Sequence, residues 1–122
     1  MAKGWKALLV AASFLCVGFG SARSEDLTWH FRSEHQNVVS LEFYSQDRNH
    51  VWPGDNEVYI LDDDEVHDYT IDCQSGEKIC YGAWVRNRSN SYWGAGYDGK
   101  EACESCCYRC DGGETNILVL DR

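Results

Sequence analysis

Four cysteines crowded into eight residues, CESCCYRC from Cys103 to Cys110, constrain this chain more than any other feature. Beyond the amino-terminal segment only Cys73 and Cys80 remain to pair with them. If all six are oxidised, at least one bridge must therefore join two members of the cluster, and most of the fifteen possible pairings send both outside cysteines into it. Cys106 and Cys107 are poor partners for each other, because a bridge between neighbours forces an unusual backbone. A bridge from Cys73 or Cys80 into the cluster closes about 25 to 35 residues, worth about 3 to 4 kcal/mol on the chain-entropy estimate.

The compartment decides how the sulfurs are read. In MAKGWKALLVAASFLCVGFGSA, Lys3 and Lys6 form a basic start, Ala7 to Phe19 is apolar, and Gly20 and Ala22 are small residues suited to cleavage after Ala22. Ala22 and Ser24 would serve a cut after Ser24. The apolar run has 13 residues, short of the roughly 20 that cross a bilayer. Nothing later in the chain is apolar enough to span. Leu15 before Cys16 does not fit a lipid-attachment site, which takes a small residue there. The reading is a cleaved secretory signal at 1-22 and a single Cys-rich domain at 23-122, secreted or periplasmic. Cys16 leaves with the signal, and an even set of six remains in an oxidising compartment.

Three chemistries compete for Cys73, Cys80, Cys103, Cys106, Cys107 and Cys110. A structural disulfide knot fits export, small size and the even count. A thiolate metal site would use the two-residue spacing of CESC and CYRC, with Cys73, Cys80 or His67 as further ligands, but it needs thiolates that an oxidising compartment consumes. A dithiol redox site needs a depressed thiol pKa, and the preceding GYDGKEA is more turn than strand, with Glu101 and Glu104 opposing a thiolate. The knot is the reading adopted, with no cofactor and no metal.

Short alternating runs set the fold class. Val39, Leu41 and Phe43 alternate with polar neighbours in NVVSLEFYS, as do Leu27, Trp29 and Phe31 in LTWHFR. EVYIL, VHDYTIDC and ICYGAWV read as further strands, with Asp68, Thr70 and Asp72 outward and QSGEK as a hairpin connection. SQDRNHVWPGDN, NRSNS and DGK read as turns. YWGAGY and NILVLD close the series, and EACESCCYRC, with cysteines at i, i+3, i+4 and i+7, is the one helix candidate. The expectation is all-β: a small antiparallel sandwich or partly open barrel, cross-linked by disulfides, with at most one short Cys-rich helix.

Charge and motifs exclude more than they assign. With Lys3 and Lys6 set aside, nine basic side chains face twenty acidic ones, a net charge of −11. Such a surface repels phosphate backbones and anionic lipid, so neither nucleic acid nor membrane is an expected partner, while a basic envelope or extracellular protein fits. The run Asp62 to Glu65 lacks the donor spacing and mid-loop glycine of a hand-type calcium loop. The four histidines form no HxH or HExxH pattern, and no nucleophile-base set or phosphate loop is present. A catalyst is not expected. Asn87-Arg88-Ser89 is a glycosylation acceptor triplet. Trp84, Tyr92, Trp93 and Tyr97 form a candidate interaction patch, suited to a protein partner or, as an aromatic platform, to a glycan.

Overall fold

The computed structural model describes residues 23–121, so the expected signal at 1-22 and its cleavage point lie outside the described residues. Among the described residues nine strands follow one another: β1 (Ser24–Ser33), β2 (Val39–Ser45), β3 (Val51–Trp52), β4 (Tyr59–Leu61), β5 (His67–Gln74), β6 (Lys78–Val85), β7 (Arg88–Gly94), β8 (Cys107–Arg109) and β9 (Glu114–Leu120). They form two sheets. The first has the order β5-β1-β9; the second has β3-β2-β6-β7, with β4 also on β2 and β8 also on β6. All ladders are antiparallel except β1 with β9, which is parallel. The all-β expectation holds, with that one departure from the antiparallel rule.

Alternation explains why these segments pair face to face. Leu27, Trp29 and Phe31 of β1 bury their side chains against Val39, Leu41 and Phe43 of β2, with Ile71, Cys73, Ile79, Ala83 and Leu120 completing one core between the sheets. Trp29 is its centre: fully buried, with ring centroids 4.6 Å from Phe43 and 5.1 Å from Tyr108. The outward residues of β5 are exposed as their polarity requires, Asp68, Thr70 and Asp72 among them.

Two expectations are overturned. QSGEK does not close a hairpin, because β5 belongs to the first sheet and β6 to the second. The segment crosses between layers, and Glu77 within it is buried to hold that crossing. The helix candidate EACESCCYRC contains no helix; its end forms β8, paired in register with β6 so that Cys107 faces Cys80. The i, i+3, i+4, i+7 spacing of sulfurs is served instead by bonds in three directions. Cys73 bonds Cys110, Cys80 bonds Cys107 and Cys103 bonds Cys106. Both outside cysteines enter the cluster and the remaining pair closes within it.

The expected turn NRSNS is also shorter than its composition suggests. Val85 pairs with Arg88, leaving only Arg86 and Asn87 at the tip, and Asn87 takes a left-handed φ of 66° that Asn tolerates better than most residues. β3 likewise emerges inside the polar stretch before Pro53.

Candidate functional site

The outer face of the second sheet is built in rows. Register places Ile60, Ser40, Trp84 and Tyr92 side by side across β4, β2, β6 and β7. The next row is Glu42, Gly82 and Gly94. Gly82 lacks a side chain for a physical reason: a Cβ there would strike the Gly96 carbonyl oxygen and the Tyr44 ring. The bare strand lets the chain after β7 lie directly on the sheet, where the Gly96 carbonyl oxygen comes within 3.3 Å of the Tyr44 hydroxyl oxygen. That docking fixes the 3-10 turn Tyr97–Gly99 above β6.

Tyr97 is thereby set edge-on to Trp84, with centroids 5.1 Å apart and ring planes at 84°. Trp84 is nearly covered, at 7% exposure, whereas Tyr92 and Tyr97 are each 44% exposed. Beside them lies an open trough of about 490 Å³, lined by Ser40, Val58, Trp84, Tyr97 and the hairpin tip from Arg86 to Ser89. The Lys100 ammonium sits 5.5 Å from the centroid of the Tyr97 ring, within cation–π range. Among the described residues, Arg86, Arg88 and Lys100 enter no ion pair.

The four aromatic residues singled out in the sequence do not form one surface. Trp84, Tyr92 and Tyr97 gather on the outer face, while Trp93 pairs with Ala83 in the inward row and packs against the core. Its ring meets His35 edge-on at 5.5 Å. Strand parity between Tyr92 and Trp93 was the available signal for this division. The arginines flanking the hairpin tip were missed as site residues; two cations beside Asn87 in a chain so rich in acid were the clue.

The sulfur cluster lies elsewhere on the same sheet, around Cys80 and Cys107. The sulfurs of Cys80, Cys106 and Cys107 lie within 4.8 Å of one another. Each is spent in a disulfide and offers no thiolate. CESC closes on itself, whereas the two cysteines of CYRC serve different bridges. His67 is not near a sulfur ligand set; its Nε2 lies 2.8 Å from Asp63 in the exposed acid run.

Two polar centres were not foreseen. His30 has Nδ1 2.6 Å from Asp68 and Nε2 2.6 Å from Glu114, tying β5, β1 and β9 together. Those hydrogen bonds, Asp68 foremost, raise its pKa above the ordinary 6.5. Beside the trough, Glu42 lies under Tyr44 and lines a separate acidic cavity with Asp55 and Asp98. Burial raises the Glu42 pKa, opposed by the Tyr44 hydroxyl, which donates to it at 2.8 Å.

Compared with protein-family models, curated proteins and solved structures, the chain matches none. Function is therefore argued from the site alone. Its three disulfides fit an oxidising compartment, and among the described residues no helix is long and apolar enough to cross a membrane.

Proposed function

We propose that the mature chain is an exported, non-catalytic interaction domain, released by cleavage after Ala22 or Ser24 into the periplasm or the extracellular space. It presents the Trp84, Tyr92 and Tyr97 face to a partner. The observation that carries this reading is the exposure of Tyr92 and Tyr97 beside an open trough, on a sheet held by covalent bridges. Exposed tyrosines backed by a rigid frame gain contact area with little ordering cost. The trough lining contains no carboxylate, imidazole or thiol, which disfavours acid-base or nucleophilic chemistry there.

The test is capture of exported host proteins and glycans on immobilised mature protein, comparing the native chain with Tyr97→Ala and Tyr92→Ala. Partners retained by the native chain and lost from both variants are expected. Equal capture by all three would remove this face from the function. Amino-terminal sequencing of the natural product checks the first part of the reading, and an intact Met1 would overturn export.

A further inference from the structure

We infer that the trough beside Trp84 and Tyr97 receives a carboxylated sugar unit of an acidic glycan, with Arg86 and Arg88 as the groups that hold the carboxylate. This rests on the interaction reading above and narrows it to one ligand chemistry. Arg48 is spent on Glu77, Arg32 on Glu34, and Arg109 donates to the Gly76 carbonyl. Arg86 and Arg88 line the trough and Lys100 lies against the Tyr97 ring, with no carboxylate paired to any of them among the described residues; Arg23 and Lys78 also enter no ion pair there, but neither lines this trough. In a chain with nearly twice as many acids as bases, two unpaired guanidiniums lining one trough form a local inversion of the surface charge. An inversion of that kind favours an anion at that spot over the basic partner that the overall charge suggests.

The neighbours of those cations specify what carries the anion. Tyr97 offers an exposed ring for the C–H face of a sugar, and Trp84 walls the trough behind it. Ser40, Asn87 and Ser89 supply hydroxyl and amide groups, the complement of sugar hydroxyls. A guanidinium matches a carboxylate with two parallel N–H donors, and the hairpin places two of them on either side of Asn87. A polyphosphate chain fits less well. A single strand of B-form DNA carries a charge about every 3.4 Å, and such a strand leaving the trough meets the Glu42, Asp55 and Asp98 cavity on the same face. A uronate unit engages the trough with one ring and one carboxylate, so the two guanidiniums and the Tyr97 ring are satisfied without a run of charge crossing that cavity.

The experiment is a tryptophan-fluorescence titration of the disulfide-intact mature protein. Polygalacturonate, its carboxyl-reduced neutral derivative and single-stranded poly(dT) are the probes. Binding of polygalacturonate is expected to weaken about tenfold on carboxyl reduction, and by a similar factor in the Arg86→Ala/Arg88→Ala variant, the scale of a lost charged hydrogen bond. Tyr97→Ala should weaken both sugar polymers. Circular dichroism and a thiol count on each variant separate binding loss from misfolding, and Arg86→Lys/Arg88→Lys keeps the charge while removing the guanidinium fork.

Equal binding of charged and neutral polymers, untouched by the arginine changes, would overturn the carboxylate assignment and leave the aromatic face standing. Tighter binding of poly(dT) would overturn it in favour of a polyphosphate. Sugar binding insensitive to both the Tyr97 and the arginine variants would overturn this inference and the face together. Absence of binding to all three probes would overturn this inference alone, because the capture experiment tests the face with other partners.

Discussion

Arg48 and Glu77, 29 residues apart, join the loop after β2 to the crossing between β5 and β6, with Arg48 Nη2 donating to Glu77 Oε1 at 3.0 Å. Glu77 has a side chain only 1% exposed and accepts further hydrogen bonds from the Ser45 hydroxyl and the Gln74 backbone N–H. Burial alone would raise its pKa; the Arg48 guanidinium and these donors outweigh burial and hold the carboxyl at about 2. A carboxylate depressed in the fold stabilises fully above its unfolded value and loses that contribution as pH falls. Stability should therefore decline between the ordinary carboxyl range and about pH 2. Glu77→Gln should flatten that decline and cost about 2 kcal/mol at neutral pH, read from urea midpoints across pH.

The bridges should differ in worth by the chain they close. Cys73–Cys110 spans 37 residues and Cys103–Cys106 spans 3. On the chain-entropy estimate, replacing the first pair by serine costs about 4 kcal/mol and the second about 2 kcal/mol. Paired urea denaturation of the two double variants checks the order, and a larger loss from Cys103→Ser/Cys106→Ser would contradict it.

Gly82→Ala should act at a distance from the residue changed. The new methyl meets the Gly96 carbonyl and the Tyr44 ring, so the segment bearing Tyr97 must lift from the sheet. A cost of about 1–3 kcal/mol is expected, the range for overpacking, together with a change in Trp84 fluorescence as Tyr97 moves. An unchanged spectrum with native stability would show that the segment does not rest on β6.

His30 predicts a dependence of opposite sign. A raised imidazole pKa stabilises below the ordinary 6.5 and loses that contribution as pH rises through the raised value. Only the imidazolium has N–H groups on both nitrogens to give to Asp68 and Glu114. NMR titration should place its midpoint above 6.5, and Asp68→Asn should lower the midpoint further than Glu114→Gln does, following the order of their contributions. Equal midpoints in all three proteins would refute the clamp.

What the sequence made legible was local. Period-two alternation located β1, β2, β5 and β6 because one face of each strand must be apolar. It was silent on sheet membership: nothing in QSGEK distinguishes a hairpin from a layer crossing until buried Glu77 finds Arg48. The sulfur spacing in CESCCYRC matched a helix by arithmetic, yet pairing with β6 dictated strand geometry for Cys107. For the candidate face, side-chain type revealed the rings and strand parity could have separated Trp93 from Tyr92, but only register brought Ser40 beside Trp84. Arg86 and Arg88 acquire meaning only when Tyr97, nine residues after Arg88, folds back next to them.

The parallel seam between β1 and β9 bears on how such a chain is assembled in time. β1 is the middle strand of its sheet, and one flank stays open until the segment ending at Leu120 has arrived. For a polypeptide delivered amino end first, the earliest strand to emerge is thus completed by the last. Until then the apolar side of β1 lacks part of its cover, and the pairing that supplies it is the most distant in sequence, the kind that forms slowly. A helper that shelters the nascent β1, or a rate of delivery matched to the closing of β9, would raise the yield of folded protein without touching its final stability.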